Sequence, residues 1–166
     1  MLSRDQEVPL VVTDAHGTAT LTVDQAAATL DFSLDVIGID LDGLFDTLVE
    51  APVGPVHLHN APAGSNGPIM VPLALDTDTY NDTEDGFGLN VVNLAYGDAA
   101  ALAGCDLSFG DFVSLLQGSA VYINIHTDAF ASGELSGRVS PVPLPASAVL
   151  LIAGLGSLVT MRRGQG

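Results

Sequence analysis

Apolar and polar residues alternate with a period of two along much of this chain, the pattern of half-buried strands. Gly17-Thr18-Ala19-Thr20-Leu21-Thr22-Val23 alternates strictly, Asp24-Gln25 turns the chain, and Ala28 to Val36 alternates again with Leu30, Phe32, Leu34 and Val36 on one face. Two such runs joined by a short polar link predict an antiparallel hairpin. Upstream, residues 6–12 predict an edge segment, because Pro9 cannot sit in a central strand. Asp40 to Leu44 predicts a loop, and Phe45 to Val49, Val56 to Asn60, Ile69 to Leu73, Tyr122 to Thr127 and Glu134 to Val139 predict strands. Asn60 to Pro68 is dense in turn formers and predicts a surface loop. Residues 76–89 predict a solvated acidic loop, while three- and four-residue apolar spacing within 98–118 predicts one or two short helices. Over residues 1–140 the expectation is an all-β, antiparallel, Greek-key-like β-sandwich or barrel.

At Ser140 the pattern changes. Residues 141–148 form a Pro-rich linker, and 149–166 an uncharged apolar run closed by Arg162-Arg163. An α-helix from Ala146 to Met161 would reach about 24 Å, a little short of a roughly 30 Å hydrocarbon core. Its basic end fits the cytoplasmic side of a membrane.

Length and charge narrow the classes. At 166 residues the chain holds one domain with a core, and its mean hydropathy of +0.42 comes partly from the tail. Twenty acids face four arginines and no lysine, a net charge of −16, which argues against nucleic acid as a partner. One cysteine, Cys105, excludes an intrachain disulfide and predicts a buried small hydrophobe. Residues 1–5 contain no apolar run, so the expectation is a start downstream of the true one or a removed leader.

Three of the four histidines supply the chemistry. His57 and His59 project to one side of a strand, and His126 completes a three-imidazole cluster if its strand pairs nearby. Neutral imidazoles suit copper or zinc, with Asn60, Asn124 and Thr127 as outer partners. An alternative stands beside this: His, Asn and Thr satisfy one another and pin the Asn60–Pro68 loop against the Thr127 turn. His16 is expected on the surface. Calcium in the 76–89 loop is the weaker expectation, since the spacing does not fit an EF-hand. No Gly-x-Ser-x-Gly elbow or phosphate loop occurs, and Glu134 alone is a slender general base, so the expectation is a protein that is not an enzyme.

Residues 142–163, with Val142-Pro143-Leu144-Pro145-Ala146, the apolar run and Arg162-Arg163, resemble the VPLPA variant of the PEP-CTERM sorting signal of Gram-negative bacteria. That resemblance implies transient anchoring in the inner membrane, processing by an exosortase-type enzyme, and a mature protein at the cell surface or in an extracellular matrix. Leu2-Ser3, Gln6-Glu7-Val8-Pro9, Gly17-Thr18-Ala19-Thr20-Leu21, Val56-His57-Leu58-His59 with Ala61-Pro62, Tyr122 to Thr127 and Gly133 to Gly137 resemble the CHRD domain. This implies an all-β extracellular module. Val56 to His59 also resembles the strand that supplies copper ligands in copper–zinc superoxide dismutase, but the histidines of a bridged zinc site and any steering lysine are missing. The function expected is an exported binding or structural module holding copper or zinc through His57, His59 and His126. Competing with it are a self-associating filament or biofilm matrix subunit, whose edge would be Val8 to Val12, and a copper-dependent redox enzyme.

Overall fold

Strict alternation produces the longest ladder of the molecule. β2 (His16–Asp24) and β3 (Thr29–Ile37) pair antiparallel along their whole length, and Leu30, Phe32, Leu34 and Val36 of β3 are buried as the alternation requires. Asp24 closes the turn by accepting the N–H groups of Ala26 and Ala27 at its Oδ1. The computed structural model describes residues 1–44, 53–74 and 77–140. The remaining strands are β1 (Leu2–Ser3), β4 (Val56–Asn60), β5 (Ile69–Pro72), β6 (Tyr80–Thr83), β7 (Gly86–Ala95), β8 (Val121–Ile125) and β9 (Leu135–Arg138).

The nine strands among the described residues lie in one antiparallel sheet, ordered β5-β4-β8-β9-β1-β2-β3-β7-β6 and curled into a half-barrel. The inside of the curl is a single apolar core, in which Phe32 and Leu34 meet Phe87 and Leu89 from β7 and Val56, Leu58, Ile123, Ile125 and Leu135 from the other half. Two short helices, α1 (Tyr96–Leu102) and α2 (Phe109–Gln117), fall where the apolar spacing placed them. Ser108 caps α2 by accepting the N–H of Asp111. Tyr96 and Phe112 join the helices with ring centroids 4.8 Å apart, and α1 packs on β5. Among the described residues no helix is long and apolar enough to cross a membrane. The expected strand at Phe45 to Val49 and the tail from residue 141 lie outside the described residues.

Three expectations are corrected. Residues 6–12 form no strand; the N-terminal strand is Leu2–Ser3, and among the described residues the sheet's edges are β5 and β6. The acidic stretch 76–89 is mostly the β6–β7 hairpin, because Tyr80, Phe87 and Leu89 bury themselves beneath its polar exterior. Cys105 is half-buried at the rim of the core.

Two substitutions separate the core from the reassigned N-terminal segment. Phe32→Ala, at a fully enclosed site, is expected to cost about 3–5 kcal/mol in urea unfolding. Leu10→Ser, at a side chain 73% exposed, should change stability by no more than about 0.5 kcal/mol.

Candidate metal centre

The β4–β8 ladder assembles the site. Its five pairs run from Val56↔Ile125 to Asn60↔Val121, so His57 faces Asn124 and His59 faces Tyr122. The row continues onto β9, where Ser136 stands beside Asn124 and Arg138 beside Tyr122. One parity of these strands (Val56, Leu58, Ile123, Ile125, Leu135) fills the core, and the other forms a polar face that is also buried.

His126 follows β8 directly and its N–H donates to Pro55 O, which holds it next to His57. Ring centroids are 4.7 Å apart for His57–His59 and 4.6 Å for His57–His126. One nitrogen from each of the three rings lies within 4.8 Å of the others. The cluster expected from sequence is therefore present.

Hydrogen bonds fix which nitrogens carry protons. Gly67 O, 2.8 Å from His59 Nδ1, and Ala131 O, 2.8 Å from His126 Nδ1, can only accept. Both rings are thereby held as Nδ1–H tautomers with Nε2 lone pairs available, the orientation in which outer partners hold ligating histidines. His57 Nδ1 sits 2.9 Å from His59 Nε2. The Nε2 atoms of His57 and His126 and Oδ1 of Asn124 are buried without a hydrogen-bond partner in the protein.

Loops seal the polar face. Gly67 lies so near Asn60 O that a Cβ there would meet it at 1.8 Å, so only glycine brings its carbonyl to His59. On the opposite side Thr127 Oγ1 donates to Glu134 Oε2 at 2.7 Å, and Thr13 Oγ1 donates to Glu134 Oε1 at 2.6 Å. Ser136 Oγ donates to Glu7 Oε1 at 2.6 Å. Arg138 donates to Ala61 O and lies 5.2 Å over the Tyr122 ring, whose other neighbour is His59 at 4.9 Å in a stacked arrangement.

Of the expected outer partners, Asn124 and Thr127 lie on this buried polar surface. Asn60 does not share the histidines' face. Its parity is that of Val56 and Leu58, and its backbone N–H is spent on Pro68 O. His16 is exposed, as expected. Glu134 is enclosed by the two threonine hydroxyls and acts as a brace within the seal. Sequence reasoning missed Glu7, Tyr122, Ser136 and Arg138. The last three were signalled by the same alternation that marked the histidines, whereas Glu7 lies in an irregular segment and gave no signal.

Burial dominates the electrostatics. It pushes His57 down to about 2, with further lowering from His59 and His126. Burial also lowers His59 and His126, against the pull of the Gly67 and Ala131 carbonyls. All three rings are neutral at physiological pH, as metal ligation requires. Burial raises Glu7, opposed by its bond from Ser136.

Fold and geometry define an antiparallel β module with an enclosed three-imidazole site. The CHRD domain model matches residues 1–139, and the chain belongs to that family. Comparison with curated proteins and with solved structures finds no match for it.

The lowered histidines set a pH dependence. In the unfolded chain they bind protons below about 6.5, while the folded protein does not, so stability is complete above that value and falls as the pH drops toward His57's value of about 2. His57 contributes up to about 1.4 kcal/mol per pH unit in that range, and His59 and His126 add to the loss with the same sign. Glu7 has the opposite sign: its raised value favours the fold below the ordinary carboxyl value of 4.5 and loses that contribution as pH rises. Urea unfolding of the metal-free protein between pH 7 and 5 should show the acid loss, and His57→Asn should flatten the slope.

Proposed function

We propose that this CHRD domain is an exported cell-surface or extracellular-matrix module that binds copper or zinc through His57, His59 and His126. One observation carries this function: two rings are clamped through Nδ1–H to backbone carbonyls, so their Nε2 lone pairs, that of His59 2.9 Å from His57 Nδ1, are turned into the three-ring cluster. Nitrogen donors of this kind favour copper and zinc over calcium, which takes oxygen ligands. The domain acts by binding, and no catalytic role is assigned to Glu134.

Export is supported by the resemblance of residues 142–163 to a VPLPA-type sorting signal, and family membership is in keeping with an extracellular β module. The apolar run would hold the precursor in the inner membrane until an exosortase-type enzyme cuts near Val142–Ala146. Self-association into a matrix or filament remains the second role for an exported domain of this kind. Strand addition would then use the β6 edge, whose Asn81, Asp82 and Thr83 are exposed, since Val8 to Val12 is no strand.

Copper(II) and zinc(II) titrations of the metal-stripped protein are expected to show one-to-one binding that His57→Ala/His59→Ala abolishes. Equal binding by the variant, or none by either protein, would reject the metal site. A double variant that binds nothing but melts lower, beside a wild type that also binds nothing, would leave the histidines as an architectural network. For the tail, expression in an exosortase-positive host should release a form shortened at the C-terminus. Replacing Pro143 and Pro145 with alanine should leave the precursor in the membrane fraction; release of that variant would count against the sorting signal.

A further inference from the structure

We propose that the three-histidine site takes monovalent copper in preference to copper(II) or zinc(II). This rests on the metal-binding function above and specifies the ion.

Charge is the first ground. His57, His59 and His126 form one group of potential ligands, and among the described residues no carboxylate or thiolate belongs to it. The two carboxylates of the seal are committed to hydroxyls: Glu134 accepts from Thr13 and Thr127, and Glu7 from Ser136. Asn124 Oδ1 is buried without a partner but carries no charge, and its amide is seated against Ser132 O and Gly133. An ion at the three neutral rings would therefore keep its whole charge. Bulk water does not take over the neutralising task, because His57, His59 and His126 are only 0%, 7% and 9% exposed. The cost of taking an ion out of water grows with the square of its charge, whereas its attraction to the dipoles of neutral rings grows only linearly. A second positive charge is thus disfavoured by the site itself.

Coordination number is the second ground. Zinc takes four ligands in a tetrahedron, and copper(II) takes a tetragonal set of nitrogen and oxygen donors. The group supplies three nitrogens, one from each ring, all within 4.8 Å of one another. Gly67 O and Ala131 O hold the rings of His59 and His126 through Nδ1 at 2.8 Å each, which resists their spreading around a fourth ligand. Copper(I), a monovalent ion with a filled d shell, is complete with three donors in a plane. Among divalent ions copper(II) binds nitrogen sites most tightly, so it is the strictest competitor.

The test uses the full chain in the absence of oxygen. Copper(I) is titrated against a chromophoric copper(I) chelator, copper(II) and zinc(II) against chelators of known affinity, and the potential of bound copper is read by voltammetry. Copper(I) is expected to bind at least about 100-fold more tightly than copper(II), which places the potential about 120 mV above that of the aqueous ion. Zinc(II) is expected to bind more weakly than copper(I). His126→Asp keeps a ligating group and adds one negative charge, and it should lower the preference for copper(I) over copper(II) at least about tenfold, or about 60 mV. A wild-type preference below about tenfold overturns the proposal, as does a folded His126→Asp protein whose preference is unchanged. If His126→Asp fails to fold, the wild-type ratio alone decides. Copper(II) or zinc(II) bound through His57 and His59 as tightly as copper(I) overturns this proposal only. Metal binding that survives His57→Ala/His59→Ala, or no binding of any of the three ions, overturns the metal-binding function with it.

Discussion

Everything at the site depends on the β4–β8 ladder being buried on both faces. An ordinary half-exposed strand turns its polar parity to water. Here Val56, Leu58, Ile123 and Ile125 fill the curl of the sheet, while His57, His59, Tyr122 and Asn124 on the reverse are also removed from solvent. The apolar side fixes the register, because a slip by one residue would turn the aliphatic set outward and the imidazoles into the core. Core packing therefore also decides which histidine meets which partner.

Burying the reverse face creates a demand that the loops must meet. Each polar group taken from water needs a partner, since an unsatisfied one costs about 1–3 kcal/mol. Glu7 answers Ser136, Glu134 answers Thr13 and Thr127, and Arg138 covers Tyr122 while reaching Ala61 O. These bonds tie the N-terminal segment and two loops to β8 and β9, so the seal is assembled from parts far apart in sequence. On this face satisfaction is incomplete at His57 Nε2, His126 Nε2 and Asn124 Oδ1. A seal that pairs its hydroxyls and carboxylates, yet leaves lone pairs among the imidazoles and Asn124, is what the proposed cation binding would use.

Much of this was legible along the chain, for a simple reason. Period two is local, so the shared face of His57 and His59, the hairpin of β2 and β3, and the two helices follow from neighbouring residues alone. Partners across the sheet are not local. That His57 faces Asn124, and that Gly67 and Ala131 lend the carbonyls, depends on how distant segments close over one another. β6 and β7 escaped notice because the Asp, Asn and Thr residues on their exposed side masked Tyr80, Phe87 and Leu89. Leu2–Ser3 is too short to show a period at all, although it joins β9 to β2 and so unites the sheet.

The architectural role of the histidines and the proposed metal-binding role would share one set of bonds. The Gly67 and Ala131 contacts that pin the loops are the same contacts that aim His59 and His126. A metal bound only by the folded form would stabilise it by mass action, and that stabilisation would reach the loops through these contacts. Without metal, the lowered proton affinity of the rings makes the same cluster a weak point in acid, because the unfolded chain can take up protons that the folded site refuses. An ion placed among the lone pairs would reverse this, since protons would then have to compete with it for the same nitrogens. For a domain working outside the cell, the cluster would thus be both the most acid-sensitive part of the fold and the part that a bound metal most directly protects.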